Sequence, residues 1–259
     1  MINDFQKELD VAVQIAKQAG EIMLQYFDND QNVKRKLDDT LVTVADTTIN
    51  SLVIEMLAKE FPDDGVIGEE ESNTEYGLGR KWFCDPIDGT NAFVWGIPTA
   101  MFSLGLVIDG QSQVGVAYDP FLDRMYTSIK GQGSYCNGKK LSVSTDALRD
   151  GFVAITGNIK RIYGGLQSVK NLMSENIKPV AFSGAVYKSV LIARGKLVGY
   201  LEELVNAHDM AAVQLIVEEA GGKISGIDGS KLDYSKPFRG AIVSNGLVHD
   251  ELVEIINRI

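Results

Sequence analysis

Asp85 and Asp88 stand three residues apart in the stretch Trp82-Phe-Cys-Asp-Pro-Ile-Asp-Gly-Thr-Asn-Ala-Phe93, and a tight turn there can aim both carboxylates into one small volume. Gly89 lets the backbone approach a ligand closely, and Thr90-Asn91 reads as the start of a short helix. The first amides of a helix lack partners within it and carry partial positive charge, which suits a phosphate. Carboxylates for a hard cation and amides for an anion thus fall within six residues, 85–90. The combination points to metal-assisted phosphate chemistry. A solvated turn is the competing reading, because aspartate, proline and glycine are ordinary loop residues.

Three other uses of such residues fail on spacing. A calcium-binding EF-hand loop needs a glutamate at its twelfth position, which counted from Asp85 is Gly96. The GxxxxGK[ST] pattern of a P-loop is absent. The Asp-x-Asp nucleophile pattern of another phosphatase class is absent too, since the spacing here is Asp-x-x-Asp.

The flanking elements must hold this turn in place. Trp82, Phe83 and Cys84 read as the end of a short buried strand, which Pro86 stops because it has no N–H to donate. Phe5, Leu9, Val13, Ala16, Gly20, Met23 and Phe27 recur at steps of three and four and predict a long amphipathic helix. Residues 28–40 are charged and turn-rich and read as a loop or flap, with Lys34, Arg35 and Lys36 as a solvated basic cluster. A second helix follows Leu41-Val-Thr-Val-Ala-Asp46, has Ile49, Leu52, Val53, Met56 and Leu57 on its inner face, and closes at Pro62 and Gly65. Asp46 falls in its first turn, where it can cap the helix or serve a site. Val66-Ile67-Gly68 is a brief strand running into Glu69-Glu70-Glu71, of which the first can point inward while the others face water.

Residues 100–144 read as an antiparallel meander, with a hairpin at Asp109-Gly110 and a tight turn at Asn137-Gly138. From about Asp150 the pattern becomes strand–helix alternation. Strands are predicted at 152–156, 179–182, 197–202 and 241–244, and helices at about 160–175, 184–194, 208–220 and 248–258. Gly221-Gly222 ends the third of these helices. Glu202 closes a strand, and Asp209 begins the next helix with its side chain off the N-terminal end, either as a plain cap or as part of a site. The pattern predicts mixed α and β structure in one unit over 1–259, with halves of about 1–147 and 148–259 and a cleft between them.

The 259-residue chain is 45% hydrophobic and 23% charged, long enough for a large core. Its formal net charge of −10 argues against a nucleic-acid partner. An acidic protein that handles an anion needs local positive charge, and bound metal ions are one source. Cys84 and Cys136 are the only cysteines and read as reduced, buried thiols; with two histidines at no ligand spacing, they make no structural zinc site. The N-terminal segment is polar, and no run approaches the roughly 18 apolar residues of a membrane span. A cytosolic protein is expected.

The four elements Leu41-Val-Thr…Ala-Asp46, Gly68-Glu-Glu70, Asp85-Pro-Ile-Asp-Gly-Thr90 with Phe93, and Asp209-Met-Ala-Ala…Glu-Ala-Gly-Gly222 together resemble the inositol monophosphatase family over essentially the whole length. Members are magnesium-dependent, lithium-sensitive phosphomonoesterases. The resemblance implies a layered αβαβα sandwich of the sugar-phosphatase type and two to three Mg2+ ions. It implies that Glu69, Asp85 and the carbonyl of Ile87 hold one ion. Asp85, Asp88 and Asp209 hold a second, and Glu69 with waters holds a third, weaker one. Gly89 and Thr90 amides take phosphate oxygens, while Thr90, oriented by Asp46, helps position and deprotonate an attacking water. Glu202 accepts a hydrogen bond from a substrate hydroxyl. Two negative charges about 4 Å apart repel by about 4 kcal/mol at an effective dielectric near 20, so such a cluster calls for cations.

Inositol monophosphate heads the substrates this implies. Histidinol phosphate, fructose 1,6-bisphosphate and 3′-phosphoadenosine nucleotides are alternatives that share the metal site. A homodimer is common in the family. The chain departs from the family at His208, where tryptophan is usual, and in Asn91–Pro98, which differs from the inositol-specific branch. His208 is either a packing substitution or a group beside the cleft that meets substrate. A partner-binding protein that keeps only the fold is the reading of another class, and the complete carboxylate set argues against it.

Overall fold

The computed structural model describes residues 5–37, 39–156 and 167–258. Two helices come first: α1 spans Gln6–Tyr26 and α2 spans Val44–Glu60. Between them β1 (Lys34–Arg35) pairs antiparallel with β2 (Leu41–Val42), so the stretch expected to be a loop contains a small ribbon. A seven-stranded sheet follows in chain order: β3 (Gly65–Gly68), β4 (Arg80–Asp88), β5 (Met101–Ile108), β6 (Gln111–Asp119), β7 (Arg124–Ile129), β8 (Ser134–Cys136) and β9 (Lys139–Lys140). Only β3 and β4 run parallel; the rest is the expected meander. A five-residue helix, α3 (Thr90–Val94), interrupts it after β4.

The second half forms a mixed sheet from β10 (Phe152–Ile155), β11 (Lys178–Ala181), β12 (Gly199–Glu202), β13 (Lys223–Ser225) and β14 (Ala241–Ser244), in the order β11-β10-β12-β14-β13. Sequence reading missed β13, a three-residue strand too short to show alternation. The helices are α4 (Gln167–Ser174), α5 (Ala185–Ala193), α6 (Ala207–Glu218) and α7 (His249–Ile256). The helix expected near 160–175 is seen as α4; its portion over 160–166 lies outside the described residues.

The layers follow from which faces are apolar. Helices α1 and α2 cover one face of the large sheet, burying Ile15, Ala19, Ile49 and Val53 against Trp82, Phe102 and Leu104. Helices α5 and α6 fill the space between the two sheets, and α4 and α7 cover the far side of the small one. The result is the αβαβα sandwich. No helix among the described residues is long and apolar enough to cross a membrane. Of the two thiols expected to be buried, Cys84 is, while Cys136, on β8 next to the edge strand, is half-buried; both are free.

Two glycines decide how closely α6 approaches. Gly105 of β5 pairs across the ladder with Gly115 of β6, and together they leave a side-chain-free patch. A Cβ on Gly105 would lie 2.7 Å from the Ala212 nitrogen and 2.8 Å from the Ala211 carbonyl carbon. One on Gly115 would strike the Ala212 carbonyl oxygen. Backbone cannot yield as a side-chain tip can, so the helix lies on the sheet only because these positions are glycine. Gly105→Ala is expected to cost about 2 kcal/mol in urea unfolding. Because α6 carries Asp209, the substitution should also lower turnover.

His249 ties β13, β14 and α7 together, with Nδ1 2.9 Å from Ser244 Oγ and Nε2 2.9 Å from Ser225 Oγ. Burial, with Lys223 nearby, lowers its pKa to about 4. A folded-state pKa below the unfolded value near 6.5 means the unfolded chain takes up the proton first. The contribution is therefore full above about pH 6.5 and is lost as pH falls toward 4. Unfolding at pH 7.5 and 4.5 should show about 2 kcal/mol more acid loss in the wild type than in His249→Gln. Equal losses in the two proteins would refute the assignment.

Candidate active site

The carboxylates meet where β4 ends between its two neighbours. Parallel pairing with β3 continues one residue past the strand, because Glu69 N–H donates to the Cys84 carbonyl at 3.0 Å. Pairing with β5 runs to Asp85↔Ser103, shifts register, and resumes at Asp88↔Met101. Pro86 therefore does not end the strand as expected. It sits in a bulge where two residues of β4 oppose one of β5, so the one extra residue needs no ladder partner. The bulge turns Asp85 and Asp88 toward one space in place of the expected tight turn. Asp85 Oδ1 accepts from the Ile87 amide at 3.1 Å.

Gly89 then takes a left-handed conformation, φ 87°, as the residue before α3. The first amides of α3 have no earlier turn to bond to. Opposite lies Gly184, also at positive φ, where a Cβ would stand 3.1 Å from Asp88 Oδ2. That opening lets Asp88 sit on the start of α5: Oδ1 accepts from Ala185 N–H and Oδ2 from Val186 N–H, both at 2.8 Å. Asp209 reaches the same space from the first turn of α6, where Asn206 and Asp209 form a capping box.

One oxygen each of Asp85, Asp88 and Asp209 lie within 4.8 Å of one another. Burial, followed by the charges of Glu69, Asp88 and Asp209, raises the Asp85 pKa well above the usual carboxylate range. Burial and then Asp209 raise that of Asp88, against the Ala185 and Val186 amides and Lys188. Two buried carboxylates and a half-buried one this close are short of positive charge. An all-oxygen donor set fits a hard divalent cation such as Mg2+.

Asp46 serves both of its expected uses with different oxygens. Oδ2 caps α2 by accepting from Thr43 N–H at 2.8 Å and from the Thr43 hydroxyl at 2.5 Å. Oδ1 faces Thr90 Oγ1 at 3.4 Å, and that hydroxyl is also 3.1 Å from the Ile87 carbonyl oxygen. Burial, helped by Glu69 and Glu70, pushes the Asp46 carboxyl up to about 7 against its Thr43 hydrogen bonds.

Glu69 lies beside Asp85 but is not one of the three clustered carboxylates; Lys36 Nζ is 3.1 Å from its Oε1. Lys36 also binds Glu70 at 2.5 Å, so two of the three glutamates turn inward and only Glu71 is exposed. The basic cluster divides accordingly: Lys34 is exposed, Arg35 pairs with Asp39, and Lys36 enters the site. Burial opposes the Lys36 charge, yet Glu69 and Glu70 hold its pKa above the usual lysine range. Glu202 ends β12, buried, with Lys188 Nζ 3.7 Å from Oε2. His208 Nε2 is 3.9 Å from Asp209 Oδ1, which places it beside the site. Lys188 and Asn50 escaped sequence reading. Asn50 braces the glutamate turn by donating to the Glu71 carbonyl and accepting from the Glu70 and Glu71 amides. The signal for Lys188 was present, as a lysine in the middle of an apolar helix.

The model of the inositol monophosphatase family matches residues 4–259. The chain belongs to that family. A fructose-1,6-bisphosphatase/inositol-1-monophosphatase of Thermotoga maritima is 29% identical over 253 residues, 97% of this chain and 96% of the relative. A histidinol-phosphatase of Mycobacterium tuberculosis is 32% identical over 258 residues, 96% and 98% of the two chains. A solved Thermotoga maritima IMPase superposes with a TM-score of 0.87 at 27% identity, covering 97% of each chain. As a member of this family the protein is a phosphoric monoester hydrolase. The relatives' substrates differ, so family membership sets the reaction and leaves the ester open.

Proposed function

We propose that the protein is a magnesium-dependent phosphomonoesterase acting on a small phosphorylated polyol or sugar, with inositol monophosphate the leading substrate, by direct attack of water. The observation that carries this is the convergence of Asp85, Asp88 and Asp209 beside the start of α3. Those three would hold one ion, Glu69, Asp85 and the Ile87 carbonyl a second, and Glu69 a third and weaker one. When bound, the cations polarise the phosphoryl group and offset charge growing on the attacking and departing oxygens.

The chain's own groups do the rest. Amides of Gly89 and Thr90 orient the phosphate. The Thr90 hydroxyl takes a proton from the attacking water and passes its own to Asp46 Oδ1, 3.4 Å away. With a carboxyl at about 7, Asp46 is matched to accepting that proton near neutral pH. As the water oxygen bonds to phosphorus, the ester P–O bond breaks and the alcohol leaves with a proton from solvent. Glu202 accepts from a substrate hydroxyl. Inhibition by lithium, a cytosolic setting and a homodimer belong to the same reading, carried by the family resemblance.

The test is phosphate release from inositol monophosphate, histidinol phosphate, fructose 1,6-bisphosphate and a 3′-phosphoadenosine nucleotide, each with saturating Mg2+ and with chelator. Release that depends on magnesium and is fastest per KM for inositol monophosphate is expected. If no ester is hydrolysed, the reading is wrong.

A further inference from the structure

Helix α5 (AVYKSVLIA) buries almost all of its length, and Lys188 lies on the buried face with its side chain 2% exposed. Lysine is almost never so enclosed without a partner. Here Nζ stands 3.7 Å from Glu202 Oε2, donates to the Ile155 carbonyl at 3.4 Å, and lies 4.4 Å from the centre of the Tyr200 ring. The first turn of the same helix binds Asp88 through Ala185 and Val186. Lys188 is thus a cation anchored in the wall of the site, paired with the carboxylate assigned to the substrate's alcohol portion.

A carboxylate with no cation behind it attracts an ammonium more strongly than a hydroxyl. Paired with Lys188, Glu202 is charge-compensated and accepts from a neutral hydroxyl, but an incoming ammonium meets a second positive charge in a partly desolvated space. We propose that Lys188 is a specificity-determining residue that, by neutralising Glu202, directs the site to phosphate esters presenting a neutral hydroxyl there and away from esters presenting an ammonium. This rests on the reading that Glu202 faces the substrate. Two of the candidate esters divide along this line: inositol monophosphate carries only hydroxyls on its ring, and histidinol phosphate carries an amine.

The experiment compares kcat/KM for these two esters at saturating Mg2+ in full-length wild type, Lys188→Met, Lys188→Arg and the double variant Lys188→Met/Glu202→Gln. Wild type should prefer the polyol ester. Lys188→Met should move the ratio toward histidinol phosphate by about tenfold or more, chiefly through KM. Lys188→Arg, which keeps the charge, should retain the wild-type ratio, and the double variant should lose the gain. A folded Lys188→Met with a ratio within about twofold of wild type overturns the role of Lys188 while leaving the reaction standing. A wild type that prefers histidinol phosphate overturns it without any variant. No turnover of either ester by wild type overturns this inference, and the reaction falls with it only if the other two candidate esters are not hydrolysed either.

Discussion

Asp88→Asn should lower turnover about 1,000-fold, equivalent to about 4 kcal/mol of transition-state stabilisation, while the protein stays folded. The change keeps the side-chain volume and removes one of three carboxylate charges from a cluster only 4.8 Å across. Asp88 also holds the start of α5, with both of its oxygens accepting main-chain N–H groups. Asparagine keeps one acceptor and turns an NH2 toward the other amide, losing a charge-assisted hydrogen bond worth about 2 kcal/mol. Relief of the repulsion with Asp209 offsets part of that cost. The metal-free variant should therefore melt no more than about 6 °C below wild type. Phosphate-release kinetics and a thermal melt read the two effects separately. Turnover within about tenfold of wild type would show that the ligands are misassigned.

Magnesium with phosphate should raise the melting temperature by about 5 °C or more when each is at about 100 times its dissociation constant, since binding at that excess contributes about 2.7 kcal/mol per site. The physical source is the repulsion that burial imposes on Asp85 and Asp88 before cations arrive. Part of the gain is spent on Glu69, which must share or exchange its ion pair with Lys36 to take up a cation. Asp85→Asn, at the residue common to two of the proposed ion sites, should abolish most of the shift, and chelator should reverse it in the wild type. A melting temperature unmoved at about 10 mM Mg2+ would count against a cation site among these carboxylates.

Local pattern was a good guide wherever one element decides its own conformation. The strand expected at 241–244 is observed at Ala241–Ser244, and the hairpin expected at Asp109-Gly110 joins Met101–Ile108 to Gln111–Asp119, because turn residues act over a few positions. Pro86 misled for the same local reason. Its missing N–H does interrupt a ladder, but only the neighbouring β5 shows that a bulge can absorb the gap. Lys36 misled in the opposite sense, since a basic loop is solvated unless something acidic lies within reach, and Glu69 and Glu70 come from 33 and 34 positions away.

By itself the amino-acid sequence determined the chemistry available: which carboxylates exist, that Gly89 frees the backbone beside them, and that the motifs at 41–46, 68–70, 85–90 and 209–222 together mark this family. The resemblance implied that Asp85, Asp88 and Asp209 meet, but residue spacing alone could not bring groups so far apart in the chain together. Asp88 and Ala185 are 97 positions apart, and Ser112 and Ala211 are 99, so their contacts exist only once α5 and α6 are packed between the sheets. That packing turns on backbone touching backbone over Gly105 and Gly115, a shape no single element carries. The division of labour between Lys36, set against Glu69 and Glu70, and Lys188, set against Glu202, was likewise decided by tertiary structure. Charge acts through space, and the distances it acts over are set by the fold.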